Sequence, residues 1–190
     1  MMNNNCQLVM NRKYRPQKFS EIVGQNQMTE MLKKSVSSGK INHSYLFSGP
    51  KGTGKTSMAR ILAKAVNCGY IETRQSNIET SIKKGDAIIT PIYINKTGEA
   101  CNTCISCNEI TNSRSLDLIE IDAASNRGID EIRALKEAVH LNPLNLKYRV
   151  YIIDEVHMLT KEAFNALLKT LEEPPQHSIF ILATTEYNKI

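Results

Sequence analysis

The sequence predicts an α/β fold, a mostly parallel sheet covered by helices on both faces and built around a phosphate-binding loop. Three observations carry that prediction. Residues Gly49-Pro50-Lys51-Gly52-Thr53-Gly54-Lys55-Thr56 spell G-x-x-x-x-G-K-[ST]. Strand-length apolar runs alternate with stretches of helical periodicity, the pattern of strands joined by crossover helices. Finally, one apolar run, Val150 to Ile153, ends in the carboxylate pair Asp154-Glu155.

Taken in order, Met1 to Lys13 is polar and Asn-rich, without the apolar stretch of a signal peptide. Tyr14-Arg15-Pro16, Phe19, Ile22 and Val23 lead into a helical pattern of Met28, Leu32 and Val36, which Gly39 stops. Tyr45-Leu46-Phe47 is a short buried strand. After the glycine-rich loop, Met58, Ile61, Leu62 and Ala65 mark one face of a helix ending near Asn67-Cys68-Gly69. Residues 70–100 break the rhythm: Thr73 to Lys84 is polar, Ala87 to Ile94 is β-rich but holds Pro91, and Asn95 to Glu99 is turn-like. That stretch reads as an insertion, a loose hairpin. Leu116 to Ile121 is a strand, and Ile129 to His140 a helix with Ile129, Ile132, Leu135 and Val139 on one face. Arg149 to Ile153 is a β-branched strand. Lys161 to Leu171 is a helix stopped by Glu173-Pro174-Pro175, and Ser178 to Ala183 a last strand.

A length of 190 residues accommodates one such domain. The 41% hydrophobic and 23% charged content is that of an ordinary globular protein. The net charge of +5 permits a nucleic-acid-facing surface without arguing for one. No apolar run is long enough to span a bilayer, so no membrane is expected as a partner, and a cytoplasmic location follows. Cysteines in that compartment are thiols or metal ligands rather than disulfides.

The loop motif needs a strand before it and a helix after it, because only there do successive backbone N–H groups and a helix N-terminus converge on one anion. Glycines let the main chain wrap a phosphate with no Cβ in the way. Lys55 reaches the β- and γ-phosphates, and the Thr56 hydroxyl ligates Mg²⁺. A parallel strand delivers Asp154 at its carboxyl end, where it shares the Mg²⁺ shell with Thr56. Glu155 is placed to polarise a water for attack on the γ-phosphate, which favours hydrolysis over phosphoryl transfer to a second substrate. Thr184 and Thr185, ending the last strand, stand where a side chain senses the γ-phosphate or orients that water.

Cys101-x-x-Cys104-x-x-Cys107 offers three thiolates within seven residues, and Cys68 a fourth. Four cysteines in tetrahedral array make a closed structural Zn²⁺ site; an iron–sulfur ligand set or separate thiols are the alternatives. The long spacer is not prohibitive, because a fourfold longer loop costs only about 1.2 kcal/mol of closure entropy. Cys6 is left as an unpaired terminal thiol.

Together these residues resemble the γ/τ family of bacterial DNA polymerase III, the AAA+ ATPases of the sliding-clamp loader. The likeness runs from about Tyr14 to Lys189. It includes Tyr14-Arg15-Pro16…Phe19…Ile22-Val23-Gly24-Gln25, which in the family lies against adenine, and Asp117 to Arg133, similar to its second-strand region. Ile153-Asp154-Glu155-Val156-His157-Met158-Leu159 resembles its Walker B segment. The run Phe164 to Pro175 is a family signature. Ala183-Thr184-Thr185 resembles its sensor 1, with Thr185 at the sensing position, and the four cysteines match its zinc module at 68–107. The resemblance implies an AAA+ P-loop fold over 1–190 with sheet order 5-1-4-3-2. It implies ATP, Mg²⁺ and Zn²⁺ as cofactors, and other clamp-loader subunits, the sliding clamp and primer–template DNA as partners. Adenine would meet Tyr14, Arg15, Pro16 and Val23; Glu155, Lys55, Asp154 and Thr185 would carry catalysis.

The spacer before Cys101 is longer than the family's. The family also continues past the point equivalent to Ile190 into an arginine motif that serves the neighbouring subunit, a fifth strand, a lid and a collar. The expectation is therefore an N-terminal fragment with the Tyr45 strand on a sheet edge and slow turnover, since an arginine supplied in trans is worth roughly 10³ to 10⁵ in rate. Two rival functions remain: a nucleotide-binding assembly module that does not hydrolyse, and another AAA+ DNA motor such as a branch-migration helicase.

Overall fold

The computed structural model of the chain describes residues 14–69 and 95–190. The polar N-terminal segment with Cys6 and most of the expected insertion, residues 70–94, lie outside the described residues. The elements in order are α1 (Asn26–Ser38), β1 (Ser44–Ser48), α2 (Lys55–Asn67), α3 (Ile105–Thr111), β2 (Leu118–Asp122), α4 (Ile129–Val139), β3 (Arg149–Asp154), α5 (Lys161–Glu172) and β4 (Ser178–Thr184). The four strands are parallel in the order β1-β4-β3-β2. This is the expected order for the strands present, with β1 at one edge among the described residues.

Successive strand side chains point to opposite faces, and the two faces make two cores. Val150 and Ile152 of β3 and Ile179 and Ile181 of β4 pack with Tyr45 and Phe47 against Leu32 and Val36 of α1 and Met58, Ile61 and Leu62 of α2. Their neighbours Tyr151, Ile153, Phe180 and Leu182 pack against Ile132, Leu135 and Val139 of α4 and Ala163 and Leu167 of α5. That is why β3 and β4 read as unbroken apolar runs: they are covered on both sides. Leu46, whose side chain alternates away from the first core, is 41% exposed, as an edge strand allows. Gly39 ends α1 in the left-handed conformation at φ 70. Thr160 caps α5 by accepting the Ala163 N–H.

The structure differs from the sequence-based expectation in two places. A helix, α3, forms over residues for which the sequence suggested no element, capped by the Cys104 sulfur accepting the Cys107 N–H. The strand expected from Leu116 begins at Leu118, because Asp117 is recruited elsewhere. Its buried carboxylate accepts N–H groups from Leu144, Asn145 and Leu146 at 2.9, 2.8 and 2.9 Å, pinning the loop that feeds β3. Asn67 pins the same loop from α2, taking the Tyr148 N–H at 2.8 Å and donating to the Tyr148 carbonyl.

Candidate nucleotide and metal sites

Period-two alternation dictates where Asp154 goes. It shares the face of Val150 and Ile152, toward α2, and its Oδ2 accepts the Thr56 hydroxyl at 2.6 Å. Two residues separated by just over half the chain thus meet at the carboxyl end of the sheet, where ligands bind in open α/β folds. The loop between β1 and α2 turns on Gly52 and Gly54, both at φ +86, a conformation costly for side-chain-bearing residues. Gly49 N–H donates to the Thr184 carbonyl at 3.2 Å, tying the loop to β4. Helix α2 starts at Lys55 with no side-chain cap, so its first N–H groups face the loop cavity, an arrangement suited to an anion. Lys55 Nζ bridges the loop, donating to the carbonyls of Gly49 and Pro50 at 2.8 and 3.0 Å.

A cavity of about 570 Å³ opens over this loop, within the size range of small-molecule sites. One wall is Lys51 through Ser57 with Asp154 and Glu155; the other is Tyr14, Arg15, Pro16, Glu21, Ile22 and Val23. The residues expected to meet a base and those expected to meet phosphates therefore line one space. Gly49 and Pro50 do not line it; they border a smaller neighbouring cavity, and their carbonyls hold Lys55. Glu21 and Ser57 were not singled out from sequence, although each adjoins or lies near a motif that was.

Glu155 follows β3 in the left-handed region at φ 51, which turns its side chain out of strand alternation. Its Oε2 accepts the Thr185 hydroxyl at 2.9 Å and the Thr185 N–H at 3.3 Å. The buried His157 ring lies beside them, Nδ1 3.0 Å from Thr184 Oγ1 and 3.4 Å from Glu155 Oε2, with Nε2 3.5 Å from Glu186 Oε1. Thr185 thus sits on the Glu155 carboxylate, and Thr184 is buried behind it. The His157 contacts were not legible in sequence, because all its partners except Glu155 come from the end of β4.

The sulfur atoms of Cys68, Cys101, Cys104 and Cys107 all lie within 4.8 Å of one another, and three of the residues are buried. Four thiolates about 2.3 Å from one tetrahedral ion stand roughly 3.8 Å apart, so the quartet needs only a small contraction to close on a metal. Backbone N–H groups already aim at the sulfurs: Cys101 N at Cys68 Sγ (3.3 Å), Cys104 N at Cys101 Sγ (3.3 Å) and Gly69 N at Cys104 Sγ (3.2 Å). Such donors favour thiolates. The hydrogen bond from Cys107 pulls the Cys68 thiol down to about 5, with the Cys101 N–H adding to it. The same contact, reinforced by burial, pushes Cys107 up, and burial raises Cys104. The residues fit a structural Cys₄ metal.

The family model described as "DNA polymerase III, delta subunit" matches residues 24–87 and 86–190. The chain is 51% identical over 179 residues to DNA polymerase III subunit tau of Bacillus subtilis (strain 168), covering 94% of this chain and 28% of that protein. It is 46% identical over 182 residues to the tau subunit of Escherichia coli (strain K12), covering 96% of this chain and 25% of that one. The chain therefore spans about a quarter of the length of these relatives. Among solved structures, the Thermotoga maritima RuvB Holliday junction branch migration motor superposes with a TM-score of 0.51 at 17% identity, over 93% of this chain and 44% of that one. That likeness establishes the shared fold alone. From its family-model match and these relatives, the chain belongs to the DNA polymerase III γ/τ family.

Proposed function

We propose that the chain is the ATP-binding and ATP-hydrolysing module of a DNA polymerase III clamp-loader subunit, acting in DNA replication. The observation that carries the reading is the 2.6 Å contact of Thr56 with Asp154, with Glu155 beside it at the mouth of the loop cavity. Lys55 and the N–H groups opening α2 hold the triphosphate. Thr56 and Asp154 hold Mg²⁺, which when bound neutralises charge on the β- and γ-phosphates. Thr185 engages one Glu155 oxygen and so orients the carboxylate, leaving the other to accept a proton from the attacking water. Tyr14, Arg15, Pro16 and Val23 receive the base, and the cysteine quartet holds Zn²⁺. The partners are other clamp-loader subunits, the ring-shaped clamp and primer–template DNA: ATP binding holds the clamp open, DNA triggers hydrolysis, and hydrolysis releases the clamp onto DNA. Family membership supports this reading over a branch-migration motor, whose likeness rests on fold alone.

The test separates a motor from a module that only binds. Glu155→Gln should leave Mg·ATP affinity within about twofold while lowering single-turnover hydrolysis at least about 100-fold, the lower range for a lost general base. An unchanged rate would reject Glu155 as the base. A calorimetric blank with Mg·ATP on folded protein would reject the nucleotide site.

A further inference from the structure

The wall of the cavity formed by residues 15–23 belongs to no helix or strand apart from the 3-10 turn Phe19–Glu21, yet it is held by a set of side chains that hydrolysis does not use. Glu99, two residues before Cys101, reaches that turn. Its Oε2 accepts the Phe19 N–H at 3.0 Å and its Oε1 the Ser20 N–H at 3.1 Å, with Lys33 Nζ 3.0 Å from Oε1. Gly98, at φ +67, lets this segment lie directly on α1: a Cβ there would meet the Lys33 carbonyl oxygen at 2.4 Å. From inside the cluster, Asn102 accepts a hydrogen bond from the buried Lys64 Nζ at 2.9 Å, and Lys64 donates again to Gln17 Oε1 at 2.7 Å. Gln17 completes the connection, its Nε2 donating to the Arg15 carbonyl at 3.0 Å and its N–H to Glu21 Oε2 at 2.7 Å. Arg15 and Glu21 both line the cavity. The phosphate loop, by contrast, is anchored to β4 through Gly49 and to β3 through Thr56.

We propose that Glu99 and Lys64 are positioning residues for the nucleoside part of the ligand: through them the metal-binding module fixes segment 15–23, so that loading the cysteine quartet strengthens binding of the base and ribose and leaves triphosphate binding alone. The proposal rests on the nucleotide reading above. Its physical basis is preorganisation. A wall held in place before the ligand arrives spares the ordering cost at binding, and a carboxylate accepting two backbone N–H groups is among the stronger restraints available.

The test compares calorimetric affinities for Mg·ATP and Mg·tripolyphosphate on the whole chain, with metal content measured in parallel. Glu99→Gln and Lys64→Met should each weaken Mg·ATP by about tenfold or more, the loss of one charge-assisted hydrogen bond. Mg·tripolyphosphate should stay within about twofold. Stripping the metal with a chelator should reproduce the same selective loss. Glu99 is partly exposed and carries the test if Lys64→Met does not fold. Equal losses for both ligands, or no loss for either, would overturn the proposal. Wild-type protein binding tripolyphosphate but not ATP would overturn it too, whereas binding neither would remove the nucleotide site itself.

Discussion

Asp117→Asn tests how the acid-bearing strand is held. The native carboxylate takes one N–H on Oδ1, from Leu144, and two on Oδ2, from Asn145 and Leu146. The amide substitute is nearly isosteric but replaces one acceptor with a donor. In its better orientation the remaining oxygen serves Asn145 and Leu146, and the new NH₂ faces the Leu144 N–H. One charge-assisted hydrogen bond is then lost and the other two weakened by loss of the charge, in a site where Asp117 is 1% exposed. A hydrogen bond to a charged group contributes about 1.5–3 kcal/mol, so the expected destabilisation is about 2–4 kcal/mol. Urea melts followed by circular dichroism should show a lower midpoint at unchanged slope. Asp130→Asn, at an exposed helix start, is the control and should stay within about 0.5 kcal/mol. A cost below about 0.5 kcal/mol for Asp117→Asn would refute the view that this acid organises the 141–148 loop.

Thr185→Val keeps the shape of the side chain and removes the hydroxyl from Glu155. Turnover should fall roughly tenfold to a hundredfold with Mg·ATP affinity nearly unchanged, as read by single-turnover rates; an unchanged rate would sink the orienting role. The cysteine quartet should lose metal affinity on acidification. With Cys68 already ionised near neutrality but Cys104 and Cys107 held above the ordinary thiol value, metal entry displaces at least two protons. Apparent affinity should then rise roughly a hundredfold per pH unit between pH 6 and 8, measured against a chromophoric chelator, and a flat profile would contradict metal binding through these thiolates.

What the sequence disclosed follows from how local each signal is. The phosphate loop is a backbone conformation written in adjacent residues, so its glycines, Lys55 and Thr56 could be named and located together. The strand to Asp154 was legible because two-sided burial leaves an uninterrupted apolar run. The cysteine quartet was legible as chemistry, since few other reasons bring three thiols into seven residues. Residues whose meaning comes from distant partners stayed hidden. Asp117 looked like an ordinary strand position, and its three donors lie in a loop beyond α4. Glu99 read as part of a turn, although it holds Phe19 and Ser20 some eighty positions earlier. Helix α3, seven residues long, is too short for periodicity to reveal and is set by its cysteine cap. The expected insertion is untouched by these observations, because its residues lie outside those described.

Strand β3 has a partner on each side, β2 and β4, and an apolar layer above and below. Its amides can meet solvent only when the whole sheet comes apart, so they should be among the slowest in the chain to exchange deuterium. Asp154 and Glu155 are welded to that slow segment, whereas the opposite cavity wall depends on a handful of side chains and can breathe without disturbing the sheet. The two ends of one ligand would then be gripped on different timescales.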